Sequence, residues 1–286
     1  MLQTTVRYLD RDDLYRVEKP YSADFAVDEQ NGAKKSNIIT TDRHVEVAPV
    51  ASRGEFNINI NGFCILKENT TLTLEDALER PEEAELKYQA ELEKILHKNF
   101  PEYTRFEGLD FVVRRRHPNY PSEKEETVKY EQPATVAHSD YTPEGAIQQL
   151  KGSFPGQEAY FLDKEYDMIN VWKPLVGPNN DWPLALCDYS SIQPTDITRA
   201  DVLHADRITE NQLLYPSQQH RWYYVESQQP NDLIVFRNTD NTGKRAGLQP
   251  NSFGSATVML TKLIQWGSMP PSQTRPQQGH YARVLK

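Results

Sequence analysis

The stretch Ala134-Thr135-Val136-Ala137-His138-Ser139-Asp140-Tyr141-Thr142-Pro143 decides how the rest of the chain is read. Its first half is a short run suited to a strand. Thr142 followed by Pro143 then supplies a helix cap with proline at the first helical position. His138 and Asp140 therefore sit where a strand gives way to a turn and a short helix. Being two residues apart on a strand end, they share one face and converge on one point. An imidazole and a carboxylate so placed suit a transition metal such as Fe(II), whose facial triad takes a second histidine from elsewhere. By itself the pattern is short enough to arise by chance, and a histidine bonded to a neighbouring acid is its plain structural reading.

Working outward, the segments downstream read as short strands separated by loops rich in Pro, Asn, Asp and Gly: Met168 to Val171, Pro183 to Cys187, Trp222 to Val225, Leu233 to Phe236, and Ala256 to Trp266. Such spacing predicts a sandwich or rolled barrel with helices outside. Upstream, Phe56, Ile58 and Ile60 alternate with asparagines before Asn61-Gly62 and Phe63-Cys64-Ile65-Leu66, which predicts a hairpin. Residues 82–99 place Tyr88, Leu92, Ile95 and Leu96 on one side at helical spacing, a long amphipathic helix closed by Pro101. The first fifty residues show no clear period and are expected to wrap the outside. The predicted division is an N-terminal extension over 1–44, a jelly-roll domain over 45–266 and a C-terminal tail over 267–286.

The chain has 286 residues, 37% hydrophobic and 26% charged, with a net charge of −9. That is enough apolar material for a packed core, and the acidic balance gives no electrostatic reason to bind nucleic acid or an anionic membrane. Arg114-Arg115-Arg116-His117 is the one dense basic cluster and reads as a solvated strand end or as a phosphate or carboxylate clamp. Cys64 and Cys187 read as two reduced, packed thiols, and the expected location is cytoplasmic.

Four ordered segments accompany the His138/Asp140 pair: Asn170-Val171-Trp172-Lys173-Pro174-Leu175, Pro183 to Asp188, His220-Arg221-Trp222-Tyr223-Tyr224, and Asp232-Leu233-Ile234-Val235-Phe236. Together they resemble the fungal and bacterial hydroxylase/desaturases related to gibberellin A4 desaturase and the cephamycin 7-alpha-methoxylation protein. The resemblance runs from about Val45 to Trp266. It implies a mainly β fold with flanking helices (α+β), a double-stranded β-helix or jelly roll (cupin-like) of the 2-oxoglutarate oxygenase type. It also implies Fe(II) and 2-oxoglutarate as cofactors, and secondary-metabolite tailoring as the role.

The metal pair carries over to His138 and Asp140. Two family features depart. Asn251, in Gln249-Pro250-Asn251-Ser252-Phe253, stands where the family has its distal histidine. With the final strand aligned through Lys262, the family arginine that grips 2-oxoglutarate falls near Ala256. An amide oxygen is a poorer Fe(II) ligand than imidazole, and without the arginine a bidentate clamp is lost.

The expectation is therefore a non-oxidative step such as cyclisation, isomerisation or dehydration. His138 would act as general acid or base oriented by Asp140, in a pocket edged by Tyr141, Asn170, Trp172 and Asn251. The alternative is an Fe(II)/2-oxoglutarate-dependent hydroxylase/desaturase with the cosubstrate held by Lys173, Arg245 or Arg114; a non-catalytic binding partner is the third reading. Trp172, Trp222, Tyr223 and Tyr224 are expected mainly as wall residues, and Lys173 and Asp188 either in the pocket or as an ion pair fixing strand ends. The expected partner is an apolar small molecule, with no nucleic acid or membrane, and a homodimer is left open.

Overall fold

The computed structural model describes residues 1–117, 120, 131–241, 257–259 and 278–285, the last two segments as backbone strands. In chain order the elements are β1 (Leu2–Leu9), β2 (Tyr21–Ala23), β3 (Thr40–Pro49), β4 (Phe63–Lys67), α1 (Leu74–Glu79), α2 (Pro81–Asn99), β5 (Glu107–Arg115) and β6 (His138–Ser139). There follow α3 (Pro143–Ser153), α4 (Glu158–Leu162), β7 (Asp167–Pro174), β8 (Leu184–Cys187), β9 (Ile197–Leu203), β10 (Ile208–Leu214), β11 (Trp222–Tyr224), β12 (Asp232–Asp240), β13 (Thr257–Met259) and β14 (Gln278–Leu285).

These strands make two sheets. One has nine strands in the order β1-β3-β11-β8-β13-β6-β10-β9-β2, and the other five in the order β4-β12-β7-β14-β5. Successive strands from β5 to β14 alternate largely between the sheets, which curl toward one another as a double-stranded β-helix. Trp172 of β7, Leu184 and Leu186 of β8, and Ile234 and Phe236 of β12 fill the space between them with Phe63. The opposite face of the five-stranded sheet, through Ile169, Val171, Leu233 and Val235, packs on Tyr88, Leu92 and Leu96 of α2. Each helix turn of α2 thus lays an apolar side chain on the sheet and keeps its glutamates and lysines in water.

The alternation along β7 follows from this layering. Asn170 and Trp172 face the barrel interior, whereas Ile169, Val171 and Lys173 face α2. All eight β7 residues are buried. On β5, Phe111 and Val113 pack against the α2 cluster, so Arg114 belongs to the interior row.

Three expectations from sequence change here. The segment before Asn61-Gly62 is a turn, because Asn57 and Asn61 side chains accept backbone N–H groups of Asn59 and Asn57 at 2.8 and 3.0 Å. Side-chain amides so placed compete with a strand ladder. β4 pairs instead with β12, Phe63 opposite Phe236. The N-terminal segment also does more than wrap the barrel: β1 runs antiparallel to β3 over eight residue pairs, burying Thr4, Val6 and Tyr8 on alternate positions. Finally, residues 278–285, read as tail, form a strand between β5 and β7, with Gly279 opposite both Arg114 and Pro174. The predicted Ala256 strand is seen as Thr257–Met259, and its remainder to Trp266 lies outside the described residues. Cys64 and Cys187 are both buried and unbridged.

Candidate active site

β6 is only two residues long, His138 and Ser139, and it is placed by its neighbours. Thr257 of β13 lies opposite His138 on one side, and Leu213 of β10 on the other. Thr142 caps α3, its hydroxyl accepting the Gly145 N–H at 2.9 Å, while its own N–H donates to Glu210 of β10 at 3.2 Å. Gly145 has to be glycine at this junction, since a Cβ there would come within 2.3 Å of the Glu210 carbonyl oxygen. The helix therefore sits flush on β10 and holds the turn carrying Asp140 against the sheet.

The His138 Nδ1 lies 2.7 Å from the Val136 carbonyl oxygen. A carbonyl only accepts, so Nδ1 carries the proton and Nε2 presents its lone pair. That nitrogen is 3.3 Å from Asp140 Oδ1. The other carboxylate oxygen, Oδ2, accepts from Asn170 Nδ2 at 2.7 Å, and the Asp140 N–H donates to Asn238 Oδ1 at 3.2 Å. Ser139 Oγ donates to the Asn238 carbonyl at 3.0 Å, so both sides of the turn are tied to β12. His138 and Asp140 side chains keep 18% and 19% of their surface exposed, enough to meet a ligand.

A lone pair facing a carboxylate oxygen at this distance is repulsive unless a cation lies between them, either a proton that turns the ring into imidazolium or a metal ion. A first-row metal about 2.1 Å from each of two cis donors would set those donors roughly 3 Å apart, so the pair fits a metal. The bond from Nδ1 to a backbone carbonyl is the outer support usual for a metal-ligating histidine. Among the described residues no group of three or more His, Cys, Asp and Glu is arranged to hold a metal. Asn251 and Arg245 lie outside the described residues.

The remaining predicted positions separate into inner and outer. Trp172 walls the interior at 2% exposure, and Tyr141 packs with Phe161, Tyr166 and Met168 beneath α3 and α4. Arg114 is an interior residue that ion-pairs with Glu131 at 2.9 Å. Arg116 pairs with Asp181 at 3.0 Å, so the basic run is met by carboxylates on both sides of its centre. Lys173 lies on the α2 face, bonded to the Thr70 hydroxyl, which removes it from the interior. Asp188 pairs with Arg221 at 2.9 Å and caps the turn at Ser190; it does not pair with Lys173, which points to a different layer. Trp222 and Tyr224 of β11 belong to the nine-stranded sheet and pack in the core cluster with Val6, Tyr8 and Val47, on the face away from the barrel interior. His204 bonds Asp24 and Thr209, and His220 bonds Tyr8 and Asp196.

Asn238 was not anticipated from sequence. Its signal was the polar run Arg237-Asn238-Thr239-Asp240 finishing an apolar strand, every residue of which is buried. Ala256 and Lys262, through which the family arginine is placed, lie outside the described residues. β14, the strand between β7 and β5 in the five-stranded sheet, begins at Gln278, three residues after Arg275 in the sequence.

A sequence profile of the oxidoreductase/YMDC permease-like domain matches residues 6–256. The Fe(II)/2-oxoglutarate-dependent dioxygenase nvfI of Aspergillus novofumigatus is 28% identical over 195 residues, covering 66% of this chain and 66% of that protein. The hydroxylase/desaturase CTB9 of Cercospora beticola is 26% identical over 206 residues, covering 65% of this chain and 61% of that one. Both matches span slightly less than two thirds of the relatives' own lengths. Among solved structures, the iron and alpha-ketoglutarate-dependent endoperoxidase NvfI superposes with a TM-score of 0.79 at 21% identity, covering 99% of this chain and 96% of that one. This likeness establishes the oxygenase-type jelly roll. No helix among the described residues is long and apolar enough to cross a membrane.

Proposed function

The chain belongs to the oxidoreductase/YMDC permease-like domain family, whose relatives here are fungal Fe(II)/2-oxoglutarate oxygenases of secondary metabolism, and from that premise we propose an oxidative tailoring enzyme centred on His138 and Asp140. The single observation that carries this reading is the fixed tautomer of His138. With Nδ1 committed to Val136, Nε2 and Asp140 Oδ1 form a two-donor edge that a metal cation completes.

When bound there, Fe(II) with 2-oxoglutarate as reductant would let molecular oxygen serve as the oxidant for breaking an unactivated C–H bond. The chain's own residues do the placing. Asn170 holds Asp140 Oδ2 so that Oδ1 alone faces the histidine. Trp172, Leu186 and Phe236 pack the space between the sheets and exclude water from it. Arg114, on the interior row of β5, is the cation suited to the cosubstrate carboxylate, which would displace the half-exposed Glu131 from it.

A second reading rests on Asn251. If that amide occupies the third ligand position, iron is held weakly and His138 serves as acid or base in a cyclisation, isomerisation or dehydration. The two are separated by conversion of 2-oxoglutarate to succinate by purified protein supplied with Fe(II). Chelator-sensitive succinate formation that is lost in His138→Ala supports the oxidative reading. Substrate turnover that persists without oxygen and with EDTA supports the non-oxidative one and removes the first.

A further inference from the structure

On the face of β7 turned away from His138, Lys173 forms part of the wall of a cavity of about 510 Å³ whose rim includes Lys67, Asn69 and Asn231. Lys173 is 1% exposed. Its ammonium donates to the Thr70 hydroxyl and lies 5.8 Å from the centroid of the Tyr88 ring, and among the described residues it forms no ion pair. One of three N–H donors is thus used on a neutral oxygen. A buried ammonium so placed is costly unless an anion meets it.

The carboxylates near the cavity are already engaged, Glu91 by the Thr71 N–H at 2.9 Å and the Thr71 hydroxyl, and Asp232 by Arg53 and Lys67. Asp232 Oδ1 takes Arg53 at 2.7 Å and Lys67 at 3.0 Å, and its Oδ2 accepts the Gln229 N–H at 2.9 Å. Asn69 uses its carbonyl oxygen to accept from Asn231 at 3.4 Å, which leaves its N–H donors directed elsewhere. The cavity wall therefore carries the Lys173 ammonium, with Lys67, already paired to Asp232, and the Asn69 amide at its rim. Burial pushes Lys173 down to about 8, with Glu91 partly opposing, so near neutrality the ammonium persists and would gain from an anionic partner.

We propose that this cavity is a binding site for a small oxyanion, a carboxylate or a phosphate, held by Lys173 with Lys67 and Asn69 at its rim. It lies across the sheet from the reaction centre, so its ligand is distinct from a cosubstrate bound inside the barrel.

The test is calorimetric titration of the intact chain at pH 7 with inorganic phosphate and, separately, with acetate, each against sodium chloride of matched ionic strength. Saturable binding of either oxyanion is expected in the wild type, with Lys173→Met weaker by about tenfold or more. Asn69→Ala, at a less buried rim position, is expected to weaken binding several-fold while leaving the floor intact, and serves should Lys173→Met fold poorly. Binding of phosphate alone or acetate alone identifies the anion class. No saturable binding by either anion, or equal binding by wild type and both variants, overturns the proposal.

Discussion

His138 donates through Nδ1 to Val136 and presents the Nε2 lone pair beside Asp140 Oδ1, while Asn170 secures the far oxygen of the carboxylate. Replacing Asn170 by Ala removes the amide that donates to Oδ2 at 2.7 Å and lets the carboxylate rotate. The expected result is a fall in Fe(II) affinity of about 10- to 100-fold, read by anaerobic metal titration, with little change in folding. An unaltered affinity would mean that Asn170 does not position the ligand. Lys173 yields a stability prediction of a different kind. Its amine titrates near 8 in the fold against an ordinary value of 10.5, so between those values the unfolded chain binds the extra proton. Wild-type stability should therefore rise with pH from about 8 to 10.5, and below 8 the full penalty of the buried charge applies. Lys173→Met should remove that rise and be more stable below pH 8 by on the order of 2–3 kcal/mol, measured by urea unfolding at several pH values in the absence of added oxyanions.

At the level of elements, the short β6 depends on α3 lying flush against β10. Gly145→Ala sets a methyl against the Glu210 carbonyl and should cost about 1–3 kcal/mol while displacing the turn at Asp140, so that metal affinity drops with stability. Equal stability to the wild type would show that the helix can shift without strain. Tyr8 of β1 accepts the Trp222 indole N–H at 2.8 Å beneath β11. Tyr8→Phe leaves that donor buried and should cost about 1–3 kcal/mol in thermal unfolding.

These elements also show what the sequence could convey. The Thr142-Pro143 cap, the α2 periodicity and the His138/Asp140 spacing are local and legible, because each is settled within one or two turns of chain. β1 was not legible as a strand, although Thr4, Val6 and Tyr8 alternate, because its partner β3 begins thirty residues later. Lys173 read as a site residue because it follows Asn170 and Trp172 in one motif, yet a step of three along a strand reverses the face. Asn238 was hidden for the opposite reason, since its contact with Asp140 joins residues 98 apart.

Across the whole molecule, the two curled sheets bring β6, β7 and β12 to one end of a barrel with an apolar interior, and α2 covers the outside of the five-stranded sheet. The central claim is that this interior holds a metal on His138 and Asp140. Its most direct test is calorimetric titration of Fe(II) into the purified chain under argon, in wild type and in His138→Ala. The account predicts one saturable site per chain that disappears in the variant while the variant's circular dichroism remains that of the wild type. Saturable binding of equal strength in a folded His138→Ala, or none in the wild type, would contradict it.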